Sequence, residues 1–165
     1  LDWRLNERHY GALTGLSKAA AIDAFGSEAL QQWRRSFVVP PPLEGGGGGA
    51  GGGAGGHAMV DGRYDHLKAE EIPQSESLAQ VVERVRPLWE TAIAQSLRAG
   101  NRVAITGHGN SLRALLKIVA HIADDDITQV EIPNAVPMVY ELGPSLEVLQ
   151  EFRLGVEHTP RSQIL

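Results

Sequence analysis

A histidine between two glycines is the residue of this chain best placed to do chemistry. His108 lies in the segment Gly107-His108-Gly109-Asn110-Ser111, which follows an apolar run and precedes an amphipathic helix pattern. Glycines allow a tight turn and the close approach of a ligand, and the N–H groups at the start of a helix favour an anion. The segment predicts a phosphate site that contains a titratable imidazole. The alternative is a histidine in a tight turn that does no chemistry.

Basic side chains that could hold such an anion occur earlier in the chain. Lys18 opens one predicted helix, and Arg34 and Arg35 close the next. A planar guanidinium binds phosphate or carboxylate through two hydrogen bonds, and two guanidinium groups beside a lysine would hold a small doubly charged anion. The alternative is that the paired arginines form a solvated helix face.

Glu7 is a candidate general acid or base, provided that its surroundings exclude water. The alternative is a surface glutamate that pairs with Arg8. His9 we interpret as a structural or exposed histidine rather than a catalytic one.

Two short helices are predicted to position the basic side chains. The first covers Ser17 to Phe25, with Ser17 as its N-cap and Gly26 as its stop, and the second covers Glu28 to Arg35. Three consecutive prolines, residues 40–42, then end regular structure because they lack the N–H group and have a fixed φ.

The elements around His108 are predicted to form an α/β unit. Apolar residues recur at helical spacing from Glu76 to Ala99, which predicts a long amphipathic helix that Gly100 stops. A buried strand is expected over Arg102 to Thr106, and the next helix presents an apolar face from Leu112 to Ile122.

The last third of the chain predicts smaller elements. Asp124 to Gln129 is typical of a short acidic helix, and two strands are expected at Met138 to Leu142 and Val148 to Phe152. The tail from Val156 onwards shows no periodicity.

Length and composition indicate a single domain over residues 1–165, with ordinary hydrophobic (42%) and charged (21%) content. A tract of Gly and Ala at residues 45–56 predicts a flexible insert. The absence of cysteine excludes a disulfide framework, and the histidines show no metal-ligand spacing. We therefore expect no metal.

Charge and hydropathy exclude further classes of protein. The formal net charge of −5 argues against general nucleic-acid binding. No apolar run approaches the roughly 20 residues that span a bilayer, and the first residues lack the pattern of a signal peptide. A cytoplasmic protein without membrane partners is expected.

Six segments, in order along the chain, resemble the 2,3-bisphosphoglycerate-dependent phosphoglycerate mutases of the histidine phosphatase superfamily. They are LNERHYGALTG (residues 5–15), WRR (33–35), PPP (40–42), ESL (76–78), GHGNSLR (107–113) and VPMVYE (136–141). The resemblance implies an α/β fold of three layers around a mostly parallel sheet. It implies interconversion of 3-phosphoglycerate and 2-phosphoglycerate in glycolysis and gluconeogenesis, and members of the family are often homo-oligomers.

The resemblance also implies roles for individual residues. His108 would stabilise the phosphoryl group in transfer, and Glu7 would donate and accept protons. Substrate phosphate and carboxylate would be bound by Arg8, Tyr10, Lys18, Arg34 and Arg35, and by the backbone of Gly109 and Asn110. The cofactor 2,3-bisphosphoglycerate would prime a phosphohistidine.

One departure from the family concerns that nucleophile. The family carries it on an Arg-His-Gly motif at the end of a central strand near its N-terminus, and this chain has no such motif. In Arg8-His9-Tyr10 a tyrosine replaces the glycine, so His9 is not the nucleophile. We therefore expect a partial domain that begins at a cut edge, lacks the central strand and is inactive alone. The alternatives are a phosphatase of the same superfamily and a non-catalytic fragment that binds phosphorylated metabolites.

Overall fold

The computed structural model describes residues 1–43, 65–68 and 71–155. The predicted glycine-rich insert at residues 45–56 and the tail from residue 156 lie outside these ranges.

The two predicted short helices are confirmed. Helix α1 covers Lys18–Phe25, and the side chain of its N-cap Ser17 accepts a hydrogen bond from the backbone N–H of Ala20 at 3.1 Å. Gly26, with φ of +84°, separates α1 from α2, which covers Ser27–Arg35. Such a φ is easily adopted only by glycine, so the turn between the helices is specified locally.

The long helix predicted over residues 76–99 is present as a helical run in three parts. Helix α3 covers Leu78–Leu88, a π-helical turn covers Trp89–Ile93, and α4 covers Ala94–Arg98. Ser77 and Gln80 form a capping box at its start, so the helix begins later than predicted. The change of winding follows Pro87, which has no N–H to donate.

The hydrophobic core lies between α3 and α5. Helix α5 covers Gly109–Val119, and the short α6 covers Asp124–Ile127, shorter than predicted. The two long helices bury the faces that their apolar spacing predicted. The buried core residues are Leu78, Val81, Val82, Val85, Leu88, Ile93, Ala114, Leu115, Ile118, Val119 and Ile127.

Two antiparallel strands form the sheet of the described residues. Strand β1 covers Met138–Leu142 and β2 covers Val148–Arg153, with Met138 opposite Arg153. A register irregularity falls between Glu141 and Leu142. Both strands were predicted, and β2 extends one residue further than expected.

The prediction of a buried strand over Arg102 to Thr106 is wrong for the described part of the chain. Residues 101–107 have no regular secondary structure, and Val103 is 37% exposed. A strand needs a hydrogen-bonded neighbour, and the described residues place none beside this segment. It therefore has the composition of a strand but not the pairing, and of residues 102–106 Ile105 alone is partly buried against the core.

The helices that the structure describes include none that is both long and apolar enough to cross a membrane.

Candidate active site

The carboxylate of Glu7 is held by three N–H donors. Its Oε1 accepts from the backbone N–H of Arg8 at 2.7 Å and from Nδ2 of Asn110 at 2.8 Å. Its Oε2 accepts from the backbone N–H of Asn110 at 3.3 Å. Asn110 belongs to the first turn of α5, so the carboxylate lies against the positive end of that helix. In each of these contacts a carboxylate oxygen of Glu7 is the hydrogen-bond acceptor.

The side chain of Asn110 is oriented by Arg113, one helical turn further on. Arg113 Nη1 donates to Asn110 Oδ1 at 2.8 Å, so the amide nitrogen of Asn110 faces Glu7 and lies 3.0 Å from Oη of Tyr10. Arg113 Nε donates to the carbonyl of Val130 at 2.9 Å. Glu7, Tyr10 and Asn110 therefore form one hydrogen-bonded group.

The guanidinium of Arg113, which contacts Asn110, is affected by the charges of other arginines. Burial lowers the pKa of Arg113, and the positive charges of Arg8 and Arg35 lower it further, whereas Glu7 and Tyr10 raise it. Arg8 and Arg35 are thus close enough for their charges to act on Arg113. The site concentrates positive charge although the whole chain is acidic.

Arg8 is buried, with 5% of its surface exposed. Its Nη2 donates to the carbonyl of Trp33 at 3.2 Å, and its guanidinium carbon lies 4.8 Å from the centre of the Tyr10 ring. Its Nε has no hydrogen-bond partner among the described residues. The side chain of Arg8 thus points towards α2 and Tyr10, and the surface pair with Glu7 considered above is not formed.

His108 is the N-cap residue of α5. Its backbone N–H donates to Oγ of Ser111 at 3.1 Å, and that hydroxyl lies 2.8 Å from the carbonyl oxygen of Leu5. Ser111 is fully buried, whereas His108 is exposed. A Cβ at Gly107 would lie 3.2 Å from Ser111 Oγ, so a larger residue there would require the Ser111 side chain to move slightly. The backbone of His108 is therefore held by Ser111, while the residue as a whole is exposed to solvent.

The remaining predicted anion ligands lie on α1 and α2. Lys18 is the first residue of α1, and Arg34 and Arg35 are the last residues of α2; all three are exposed. No hydrogen bond or ion pair of the described ranges connects Lys18 or Arg34 to Glu7. The structure thus brings together Glu7, Arg8, Tyr10 and Asn110, with Gly109 beside them, but it does not bring Lys18 and Arg34 into contact with them.

Sequence reasoning assigned no role to four residues that organise this site. Arg113 orients Asn110, Ser111 connects Leu5 to the turn at His108, and a buried ion pair between Glu76 and Arg84 lies behind the Glu7 segment. Glu76, Ser111 and Arg113 fall within the segments that resemble the mutases, and that resemblance could have marked them as candidate site residues. Arg84 lies outside them, in an ordinary amphipathic pattern.

The described ranges contain no group of three or more His, Cys, Asp or Glu side chains that could hold a metal ion.

Comparison with known proteins places this geometry in context. Residues 57–154 match the sequence model of the histidine phosphatase superfamily (branch 1). A 2,3-bisphosphoglycerate-dependent phosphoglycerate mutase from Pasteurella multocida (strain Pm70) is 46% identical over 153 residues, which are 93% of this chain and 65% of that protein. The chain thus spans less than two thirds of the length of this relative.

A solved structure shares the fold. It is that of a mycobacterial glucosyl-3-phosphoglycerate phosphatase complexed with VO3, which aligns with a TM-score of 0.55 over 92% of this chain and 61% of that chain. At 20% identity the likeness is one of fold alone.

Proposed function

Because the chain belongs to branch 1 of the histidine phosphatase superfamily, we propose that it carries the acid/base part of a 2,3-bisphosphoglycerate-dependent phosphoglycerate mutase site. The reaction would interconvert 3-phosphoglycerate and 2-phosphoglycerate. The similarity to the Pasteurella multocida mutase supports this reaction over others of the superfamily.

The position of Glu7 is the observation that carries the proposal. Its carboxylate lies at the first turn of the helix that His108 caps, and it is bound by Asn110. Moving a phosphoryl group between neighbouring hydroxyls requires a group that exchanges protons with those hydroxyls and positive charge around the phosphoryl oxygens. Glu7 would exchange the protons, and His108 would stabilise the phosphoryl group in transfer.

The cationic groups around Glu7 would hold the substrate. Arg8 lies beside Tyr10, which shares Asn110 with the Glu7 carboxylate, and Lys18, Arg34 and Arg35 would approach from α1 and α2. The N–H groups of Gly109 and Asn110, at the start of α5, would contact the phosphate. Held in this way, the substrate would present its hydroxyls to Glu7 in a fixed orientation.

The same donors fit a bisphosphorylated cofactor. Arg8 Nε has no partner within the described residues, and positive charge collects around Arg113. Arg8, Arg35 and the start of α5 would hold 2,3-bisphosphoglycerate. When bound, the bisphosphate supplies the phosphoryl group that primes the histidine nucleophile of the family. We propose no metal for this chemistry.

Residues 102–106 would join a mostly parallel sheet in the three-layer fold when a neighbouring strand is supplied. Their alternation of apolar residues suits a strand, and the described chain leaves them unpaired. We propose that the central strand and the Arg-His-Gly nucleophile lie on a segment outside this chain. The chain alone would then be inactive, and the assembled enzyme would be a cytoplasmic enzyme of glycolysis and gluconeogenesis, with association into homo-oligomers as in its family.

A mutase assay tests the proposal. The purified chain is given 3-phosphoglycerate and catalytic 2,3-bisphosphoglycerate, alone and together with a peptide that supplies the N-terminal segment of the relative. We expect 2-phosphoglycerate only in the complemented sample. A soluble, assembled complex without mutase activity would contradict the proposal. Inorganic phosphate as the main product would identify a phosphatase, the second activity found in the superfamily.

A further inference from the structure

The segment that carries Glu7 has little regular structure of its own. A single 3-10 turn covers Trp3–Leu5, and residues 6–10 follow without helix or strand. The backbone carbonyls of such a segment need partners from elsewhere. Three of them receive hydrogen bonds from the guanidinium of Arg84 on α3, namely those of Arg4, Asn6 (3.0 Å) and Glu7 (3.3 Å).

Glu76, the residue before the N-cap of α3, completes this arrangement. Its Oε1 lies 2.6 Å from Arg84 Nε, and its Oε2 accepts from Arg84 Nη2 at 3.0 Å and from the backbone N–H of His9 at 2.9 Å. The backbone N–H of Glu76 donates to the carbonyl of His9 at 2.9 Å. The pair therefore holds the segment on both sides of Glu7.

The pair is buried, and space lies beside the segment that it holds. The side chains of Arg84 and Glu76 are 10% and 4% exposed. Asn6, Glu7 and His9 border a half-open cavity of about 100 Å³, which Trp3 and Arg84 also line. The segment therefore lacks close packing on this side. The hydrogen bonds of the pair supply the constraint.

We propose that the Glu76–Arg84 ion pair is the positioning device of the acid/base group. It sets the backbone at residues 4–9 so that the Glu7 carboxylate meets Asn110 at the start of α5. Neither residue touches the reacting atoms, so both are positioning residues. The inference rests on the proposed function for the importance of Glu7 in the reaction, but the constraint itself is measurable without turnover.

Hydrogen exchange of backbone amides in Arg84→Lys tests the constraint. Lysine keeps the charge but cannot present a planar fork to Glu76 and to three carbonyls at once. The Arg8 amide reports on the Glu7 carboxylate, and the His9 amide reports on Glu76. We expect both to exchange about tenfold faster or more in Arg84→Lys, while core amides of α5 change less. Arg86→Lys, an exposed arginine of the same helix, is the matched control and should change neither amide.

A second variant, Glu76→Gln, tests the same constraint in case Arg84→Lys does not fold. Glu76→Gln keeps the size of the side chain and one acceptor, so the variant should fold. Its His9 amide should exchange faster than in the wild type, but by a smaller factor than in Arg84→Lys. In the complemented mutase assay we expect Arg84→Lys to lower kcat by a larger factor than it raises KM, because Arg8 is the one proposed anion ligand within residues 4–9 and the others lie on neighbouring elements. A role in stability alone would not produce this separation of kcat from KM.

The outcomes separate this inference from the proposed function. Faster exchange at Arg8 and His9 supports the positioning role even if the wild-type chain shows no mutase activity, a result that would count only against the proposed function. Unchanged exchange at these amides in both Arg84→Lys and Glu76→Gln would overturn the inference, whatever the activity. Equal acceleration at every core amide would also overturn it, since the pair would then be a global stabiliser.

Discussion

The two parts of the candidate site differ in how firmly this chain holds them. The Glu7 region, residues 4–10, is joined to α3 by Arg84 and Glu76 and to α5 by Asn110 and Ser111. The segment that leads into His108, residues 101–107, is largely exposed and has no strand partner among the described residues. Both regions are irregular, but side chains of neighbouring elements hold the backbone of the first, whereas the second is tied at its start by a hydrogen bond from the backbone N–H of Asn101 to the carbonyl of Ser96 (3.1 Å). Function-bearing loops are thus ordered by the elements beside them rather than by their own conformation.

The largest effect is expected from removing the acid/base group of the ordered region. Glu7→Gln keeps the shape of the side chain but removes its ability to take up a proton, and general acid–base catalysis contributes about 100- to 10,000-fold. We expect a loss of kcat in that range in the complemented mutase assay. Glu83→Gln, an exposed glutamate of α3, is the control. Wild-type turnover by Glu7→Gln would remove Glu7 from the mechanism.

A matched pair of valines compares the core with the exposed segment directly. Val81 is fully buried, whereas Val103 is 37% exposed. Val81→Thr places a hydroxyl in the core and removes a methyl group, which should lower the free energy of unfolding by about 2–4 kcal/mol. Val103→Thr should change it by less than about 0.5 kcal/mol.

Urea unfolding of both valine variants measures the contrast. Equal losses would mean that residues 101–107 are as firmly packed as the core, and the contrast between the two regions would disappear.

Ser111 connects the Glu7 region to the turn at His108, and its removal should weaken this connection. Ser111→Ala leaves the backbone N–H of His108 and the carbonyl of Leu5 without their hydroxyl partner. Unsatisfied buried polar groups cost about 1–3 kcal/mol, and we expect a loss of this size in denaturant unfolding. The exposed Ser145→Ala is the control. A loss no greater than that of the control would show that this connection contributes nothing.

The smallest effect concerns the ion pair at the edge of the Glu7 region. Hydrogen bonds from Arg4 hold the pKa of Asp2 below its ordinary value of 3.8. A lowered pKa means that the folded state favours the ionised carboxylate. The stabilisation is therefore fully present when the pH is above the ordinary pKa of Asp2, and it is lost as the pH falls through the lowered pKa of the folded state.

Comparison of wild type with Asp2→Asn tests this dependence. The free energies of unfolding should differ by about 0–1 kcal/mol near neutral pH, because both side chains of the pair are partly exposed. The difference should be smaller in acid, as urea unfolding at about pH 7 and about pH 3 will show. A difference that grows in acid would contradict the assigned direction.

Local features of the fold were predictable because their causes are local. Ser17 and Gly26 bound α1 as cap and stop, and apolar spacing identified the buried faces of α3 and α5. The hairpin strands were identified by alternation and by the turn between them. The winding change after Pro87 was missed because the apolar pattern continues through it.

Pairing across the chain was less predictable. Residues 102–106 have the composition of a buried strand, yet strand formation depends on a neighbour that no local pattern supplies. In the same way, the spacing of Glu76 and Arg84 along the sequence gives no sign that they hold residues 4–9, which lie some seventy positions earlier in the chain.

The sequence by itself determined the family, the helices with their caps, and the residue types able to bind an anion and exchange a proton. Those properties depend on neighbours along the chain or on side-chain chemistry. Only the tertiary structure decided which of these residues meet: Glu7 with Asn110, Asn110 with Arg113, and the Glu7 segment with Arg84. Such contacts join residues far apart in sequence, and they form because buried backbone and charged groups must find partners wherever the packing of α3 against α5 brings them.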